Sequence, residues 1–313
     1  MAMAPNYNES PIFRLKVTHV INNVVFLNIL TSLLLPSTAK QLVAVEVSTK
    51  LPSTRYSTSA IYDGKDAIYI IGGMNIASGS ILGEIVKFTI STEEVQLVAS
   101  VPTPMTVGSA SFDDRTGDIY VHHAMTYFTP TDRIYRFTPS TNMVELVGTR
   151  TIPNYNCAAV PGYANPEEIF VIGGDRRTNI VIFNMENHTI SKVGDLVKPY
   201  FFAAAVADHT GSAILFGNDY LSDAYPPARL NLTSLATTYG SFPLPYFVVR
   251  PAVVWNGSYA YLFGGYNNIS AGHYPHSIIQ TDPNTLTYSL LPVANFPGND
   301  TEALLQRCFR EET

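Results

Sequence analysis

The chain has 313 residues and a formal net charge of −6, with 46% hydrophobic and only 14% charged residues. This composition supplies enough apolar side chains for a sizeable core and excludes an intrinsically disordered chain. The negative charge and the lack of a basic run argue against nucleic acid as the main partner. The two cysteines, Cys157 and Cys308, exclude a disulfide framework, although not a single bridge, and form no paired metal-binding motif.

The first 39 residues have the features of a secretory leader. Arg14 and Lys16 precede a mostly apolar run from Val20 to Leu35, and small residues stand at the −3 and −1 positions before a cut after Ala39. This order of segments predicts that residues 1–39 are a signal peptide or a signal anchor, with a disordered leader as the alternative. The run is short for a membrane span, so we expect no span in the mature chain. Both membrane interpretations place the remaining residues outside the cytoplasm.

From residue 40 onward the chain consists of similar units. Each unit begins with a strand of small residues, and a second, aliphatic strand follows after a turn. The second strand ends in a glycine doublet or its counterpart, at steps of 43 to 51 residues, in IYIIGG at Gly73, IYVHH at His123, IFVIGG at Gly174, AILFGN at Gly217 and AYLFGG at Gly265. A third and a fourth strand complete the unit. Four short strands per unit of this length predict the blades of an all-β propeller.

These residues resemble the kelch repeat family, whose blade has an aliphatic strand that ends in Gly-Gly and aromatic anchors on its third and fourth strands. Here Phe88, Phe137 and Phe183 each stand seven residues before the fourth-strand anchor. The resemblance extends over residues 42–297 and is weaker where His122-His123 or Gly217-Asn218 replaces the doublet. The tryptophan common on the family's fourth strand is missing. The resemblance implies a kelch-type β-propeller over residues 40–297.

The number of strands in the repeats is uneven. The fourth-strand element occurs six times, whereas strands one to three occur five times. We therefore expect five complete four-stranded blades plus a partial sixth, whose outer strand is Leu42–Val47. Residues 298–313 would be a truncated blade or a disordered tail, and a five-bladed ring with a surplus strand is the alternative. An open ring would expose sheet edges and favour self-association.

Two sets of loops supply the candidate binding residues. In kelch propellers the loops from strand two to three and from strand four to the next strand one share a face, and that face usually binds the partner. Tyrosine and arginine anchor interfaces because they bury a large area and keep a polar end. The alternative is that the tyrosines wedge between blades. The candidate residues are Arg55, Tyr56, Tyr155, Arg176, Tyr200, Tyr246 and Tyr266.

The sequence presents no convincing catalytic, metal or cofactor motif. His122 and His123 are adjacent on a strand and would point to opposite faces, so they cannot chelate one ion together. Tyr155 and Cys157 invite comparison with galactose-oxidase-like copper enzymes, but the copper ligand set has no match. We interpret Cys157 as a small core residue. Phosphate loops, nucleophile elbows and zinc-protease motifs do not occur, and we expect no catalytic residue, metal or cofactor.

Asn-x-Ser/Thr sequons occur six times, and four of them fall in expected turns or loops, where a glycan would fit. These four begin at Asn187, Asn231, Asn256 and Asn268. Taken together, the sequence predicts a secreted or surface-displayed propeller that binds a protein partner through its loop face without catalysis. The word "binding" rests on analogy of fold. The alternative is a carbohydrate-active or galactose-oxidase-like enzyme that uses the propeller channel.

Overall fold

The computed structural model describes residues 14–15, 42–44, 47, 49–106, 108–122, 125–126, 129–149, 157–174, 177–218, 224–245, 251–263 and 277–294. Within these residues every regular element is a β-strand, and five antiparallel units of four strands account for most of them. The chain is therefore an all-β propeller with five four-stranded blades, as the repeat pattern predicts. The described residues include no helix with the length and hydrophobicity needed to cross a membrane.

The strands of each blade follow one another in space as they do in sequence. Blade one comprises Ser59–Tyr62, Ala67–Ile71, Glu84–Thr89 and Glu94–Ser100. Blade two comprises Ser109–Phe112, Ile119–His122, Arg133–Thr138 and Met143–Thr149. Blade three comprises Ala158–Pro161, Glu168–Ile172, Asn179–Asn184 and Ile190–Asp195. Blade four comprises Phe201–Ala207, Ser212–Asn218, Ala228–Asn231 and Thr237–Tyr239. Blade five comprises Ala252–Trp255, Ala260–Phe263, Ser277–Thr281 and Tyr288–Ala294.

Burial follows from the position of each strand in its blade. The second strands are aliphatic and buried on both faces, as in Ser212–Asn218, because a neighbouring blade or segment covers each side. The fourth strands form the outer edge and alternate between half-buried and exposed residues. A bulge interrupts the pairing of strands three and four in the first three blades, which bends the outer edge. These patterns place the inner strands around the centre of the molecule.

Asx-type side chains close the hairpin turns of the blades. The Oδ1 atom of Asp63 accepts N–H bonds from Lys65 and Ala67 at 2.9 and 3.0 Å. Asp208 closes the corresponding turn of blade four in the same way. Asn231 and Asp282 close turns between strands three and four. Because these bonds form within a few residues, each turn is specified locally.

Apolar layers join consecutive blades from one to five. The inner strands lie side by side in sequence order, from Ser59–Tyr62 to Ala252–Trp255. Between blades three and four the layer includes Phe170, Ile172 and Leu215, all buried. Within the described residues, no packing of that extent joins the inner strands of blades five and one. Instead, Val47 and Leu51 cover the face of blade one that points away from blade two, where they pack with Ile70, Val86 and Phe88.

The strand Leu42–Ala44 does not stand alone. It pairs in parallel with the fourth strand of blade five, with Leu42 opposite Val293, and Arg14–Leu15 pairs in parallel with it. The backbone of these residues is therefore added to the outer edge of the fifth blade. The partial sixth blade remains a prediction.

Two short ladders lie among the loops. Arg55–Tyr56 pairs with Met74–Asn75, and Met125–Thr126 pairs with Thr129–Pro130. The first of these ladders holds the segment before blade one against the loop that follows the doublet of that blade. It thereby positions two of the candidate binding residues, Arg55 and Tyr56.

Candidate binding surface

The segments that join the fourth strand of one blade to the first strand of the next share one backbone path. Three of these linkers are described here, over residues 101–106, 196–200 and 240–245. Each begins with an N–H that donates to the residue before a third strand: Val101 to Gly83 at 2.8 Å, Leu196 to Thr178 at 2.7 Å and Gly240 to Pro227 at 2.9 Å. This common bond sets the register for comparing the linkers residue by residue.

Four residues further on, each linker inserts a buried side chain between two blades. Met105 is 1% exposed, Tyr200 is 0% exposed and Leu244 is 4% exposed. The glycine doublets explain why the linker can approach so closely. A Cβ atom on Gly72 would lie 2.4 Å from the Met105 carbonyl oxygen, and one on Gly173 would lie 3.3 Å from the Tyr200 Cβ. The second glycine then donates its N–H to the buried residue, as Gly174 does to Tyr200 at 3.0 Å.

Arg55 stands at the corresponding position before blade one: it follows Leu51 by four residues, as Met105 follows Val101. Its side chain is 0% exposed and forms an ion pair with Glu84, whose side chain is 32% exposed. Its Nη2 also donates to the Ser53 hydroxyl at 2.8 Å, and its Nη1 donates to the Gly72 carbonyl at 3.5 Å. A guanidinium therefore fills a place that other linkers fill with apolar or aromatic groups.

This placement bears on the candidate binding residues. Arg55 and Tyr200 are interior residues, so neither can contact a partner directly without leaving its present packing. For Tyr200 the structure supports the alternative that the tyrosine wedges between blades. Tyr56 is partly buried, and its hydroxyl donates to the Met74 sulfur at 2.7 Å. Four other candidates lie outside the described residues: Tyr155, Arg176, Tyr246 and Tyr266.

Two of the linkers present large apolar side chains to solvent just before the buried residue. Val197 is 76% exposed and Phe242 is 67% exposed. They stand on consecutive linkers, and the linker before blade two has Pro102 and Thr103 at these positions. Neither is a predicted binding residue, because both precede the linker proline, Pro199 or Pro243, whereas the linker candidates follow it. Register from that proline would have placed Lys198 and Phe242 at the same position.

A tyrosine cluster joins these two linkers. The rings of Tyr200 and Tyr225 meet edge to face with centroids 5.2 Å apart. The Lys198 Nζ lies 5.3 Å from the centroid of the Tyr225 ring and 5.4 Å from that of Tyr239. The Leu244 N–H donates to the Tyr225 carbonyl at 3.2 Å. Tyr225 therefore touches both linkers, and we define residues 196–200, 225, 239 and 240–245 as the linker surface.

The linker surface is largely apolar and has a single charged side chain, that of Lys198. Burial raises the pKa of Tyr200 well above its usual value, and the neighbouring hydroxyls of Tyr239 and Tyr225 act in the same direction. Burial also raises the pKa of Tyr239. Both tyrosines are therefore neutral at physiological pH. The ammonium of Lys198 lies over two aromatic rings, a position that favours a cation.

The predicted glycosylation sites differ in the accessibility of their amides. Asn187 and Asn231 are exposed, and each uses its Oδ1 to accept local bonds, from Thr189 and from Thr233 and Ser234 respectively. They lie in the turns between strands three and four of adjacent blades, although Asn184 is the structural counterpart of Asn231. Asn256 is partly buried and donates its Nδ2 to the Tyr261 hydroxyl at 3.1 Å. Asn268 lies outside the described residues.

The histidine and cysteine singled out in the sequence lie in the layer between blades two and three. His122 is buried, with its ring 6.0 Å from that of Phe183 in an edge-on contact. The buried Cys157 has its Sγ 3.9 Å from the Ser109 hydroxyl. Within the described part of the chain, no three potential metal ligands lie together. His123 is outside that part.

Comparison with known proteins supports the fold only. No protein-family profile matches the chain, and no curated protein matches it in sequence. Among solved structures 930 chains match, and one of them is described as "Structure of YjhT". It aligns with a TM-score of 0.66 and 12% identity over 79% of this chain and 87% of that chain. At this identity the likeness shows a shared propeller-like fold and nothing about activity.

Proposed function

We propose that this chain is a noncatalytic protein-binding propeller that works outside the cytoplasm and contacts its partner at the linker surface. The observation that carries the proposal is the exposure of Val197 and Phe242 on two consecutive linkers. Each of these side chains is followed closely by a buried residue, Tyr200 or Leu244, that fixes the backbone. A partner would therefore meet apolar groups whose positions are already set.

Preorganisation is the reason this surface suits binding. Association loses affinity when loops and side chains must become ordered, and an anchored linker avoids much of that cost. Exposed apolar groups next to aromatic rings resemble the centre of protein interfaces, where a few residues supply most of the affinity. Lys198 adds one cation at the edge of the apolar area. We therefore expect a protein partner with apolar side chains and a nearby carboxylate.

The finer features of the fold are part of the same proposal. The contact between linker and glycine doublet supports a kelch-type blade. Val47 and Leu51 cover blade one in the manner of a linker between blades, which supports a six-bladed plan with a partial sixth blade. The free flanks of such a ring would favour self-association. The leader composition and the exposure of Asn187 and Asn231 support an extracellular location.

Photo-crosslinking tests the proposed surface. A photoreactive amino acid replaces Phe242 in one protein and Leu97 in a matched control, because Leu97 is also apolar and 53% exposed but lies on the outer strand of blade one. After exposure to extracellular proteins, we expect a crosslinked partner from position 242 and none from position 97. The double change Val197→Ser and Phe242→Ser should weaken binding of that partner by about 30-fold, as expected when about 2 kcal/mol is lost.

The control for affinity is Leu97→Ser, which removes a similar exposed side chain and should leave binding unchanged. Equal crosslinking from both positions, or full affinity after the double change, would contradict the linker surface as the binding site.

A further inference from the structure

A second concave site lies at the boundary of blades three and four, formed by hairpin turns and strand residues and separate from the linker surface. It is a groove of about 400 Å³. Phe170 and Ile182 of blade three and Leu232 of blade four line its apolar part. Asn165, Glu168 and Thr233 contribute polar groups to the lining. The groove thus combines an apolar base with amide, carboxylate and hydroxyl groups.

Tyr163 gives the groove an aromatic wall. Its side chain is 59% exposed although it belongs to a structured turn. One side of the ring rests on Gly211, because a Cβ atom on that glycine would lie 3.4 Å from the ring Cδ1. Gly211 also has a φ of 101°, a conformation that favours glycine. The ring is therefore supported from one side by bare backbone while much of it stays open to solvent.

Another part of the lining belongs to a glycosylation sequon. Leu232 and Thr233, which line the groove, are the second and third residues of the sequon Asn231-Leu232-Thr233. The Asn231 Oδ1 accepts N–H bonds from Thr233 at 2.9 Å and Ser234 at 2.7 Å, which fixes the orientation of the side-chain amide. Asn231 itself is exposed. Asn231 does not itself line the groove, but its next two residues do, so a sugar attached to this amide begins close to the groove.

We propose that the groove holds the first N-acetylglucosamine of a glycan attached to Asn231. The apolar C–H face of the sugar packs on the Tyr163 ring, as apolar groups do on aromatic faces. Its hydroxyl and amide groups meet Asn165 and Glu168, which supply a carbonyl and a carboxylate as acceptors. The glycan covers apolar surface that is otherwise in contact with water and thereby stabilises the boundary between the two blades.

The attachment is the ordinary transfer of the secretory pathway, and the proposal rests on the extracellular location proposed above. The Asn231 Nδ2 forms a bond to the anomeric carbon of a lipid-pyrophosphate-linked oligosaccharide. The bond from that carbon to the phosphate oxygen breaks, and the lipid pyrophosphate leaves with the electron pair. One proton is lost from the amide nitrogen, so no oxidant or reductant is required.

The test compares melting temperatures of protein made in a secretory host. In the wild type and in Tyr163→Phe, which keeps the ring, Asn231→Gln should lower the melting temperature by about 2 °C. In Tyr163→Ala the same change should have no effect, because the sugar has lost its aromatic wall. Trimming with an endoglycosidase that leaves a single N-acetylglucosamine should keep the stabilisation. The matched control is Asn187→Gln, whose effect should be the same in all three backgrounds.

Two results would overturn the proposal. One is an equal effect of Asn231→Gln with and without the Tyr163 ring. The other is an unmodified Asn231 in secreted protein, whether or not Asn187 is modified. A chain unmodified at both sites would also remove support for the extracellular location. Partner binding at the linker surface is measured separately by crosslinking. The glycan proposal and the binding-surface proposal can therefore fail independently.

Discussion

The linkers before blade one and before blade four bury side chains of opposite chemistry. Arg55 fills it in the first and Tyr200 in the second, and both side chains are fully buried. Arg55 is satisfied by Glu84, by a hydroxyl and by a backbone carbonyl. Tyr200 packs in the apolar layer between blades three and four, with the Tyr239 hydroxyl next to its own.

This comparison shows that the position along the linker, and not the type of side chain, determines which linker residue is buried. The residue at that position is buried whether it is charged, aromatic or aliphatic, and for Met105 and Tyr200 a glycine doublet allows the close approach. The residue two positions earlier is more accessible: Lys198 before blade four is exposed, and Ser53 before blade one is half-buried. Binding chemistry at the linkers therefore varies at the exposed positions, and stability depends on the buried ones.

The largest effect is expected from Tyr200→Ala. Removing a fully buried ring from the layer between two blades should lower the free energy of unfolding by about 4 kcal/mol. Phe242→Ala, on the next linker, should change it by less than about 0.5 kcal/mol because that ring is 67% exposed. Urea unfolding of the two variants measures the contrast. Similar losses in both would mean that the exposed position also contributes to the core.

A smaller loss is expected from Arg55→Ala. It should lower the free energy of unfolding by about 2–3 kcal/mol, because truncation leaves a cavity and removes the partner of Glu84. Glu84 is 32% exposed, so water can solvate part of its charge and limit the loss. Arg55→Met should cost less than Arg55→Ala, since Met105 fills the same position before blade two.

A double-mutant cycle with Glu84→Gln measures how much of that loss belongs to the ion pair. We expect Arg55→Ala to cost less in the Glu84→Gln background than in the wild type. Additive effects would show that Arg55 stabilises the linker by packing alone. Either way, a fall in partner affinity without a fall in stability would restore Arg55 as a direct contact.

The blades were predictable from sequence because their determinants are local. The doublet at Gly72-Gly73, the alternation along each strand and the turn at Asp63 all lie within a few residues of the structure they specify. The burial of Tyr200 was not predictable in this way, since it depends on Gly173, which lies in another part of the chain. The parallel pairing of Leu42–Ala44 with Tyr288–Ala294 likewise joins distant segments with no local signal.

The exposed residues of the linker surface were missed for a related reason. Val197 and Phe242 look like ordinary apolar residues in sequence, and apolar residues are usually assigned to the core. The shared bonds of Leu196 and Gly240 to the residues before the third strands give the same register as the linker prolines Pro199 and Pro243. A repeat alignment based on strands alone leaves the linkers out of register.

The smallest effect concerns the Tyr200 hydroxyl and appears only at alkaline pH. Tyr200→Phe removes a buried hydroxyl whose polar neighbour is the Tyr239 hydroxyl, so at pH 7 the free energy of unfolding should change by no more than about 1 kcal/mol. Burial raises the pKa of Tyr200 well above its usual value. Above pH 10 the unfolded chain therefore loses a proton that the native state keeps, and the stability of the wild type falls as pH rises. The stability that depends on a protonated Tyr200 is fully present below pH 10 and falls above it. Tyr200→Phe has no proton to lose at this position, so the variant should lose less stability than the wild type above that pH. Urea midpoints at neutral and alkaline pH measure this difference between the two proteins. Identical slopes for both proteins would mean that the Tyr200 hydroxyl reaches water, and that the linker before blade four is less tightly closed than the linker before blade one.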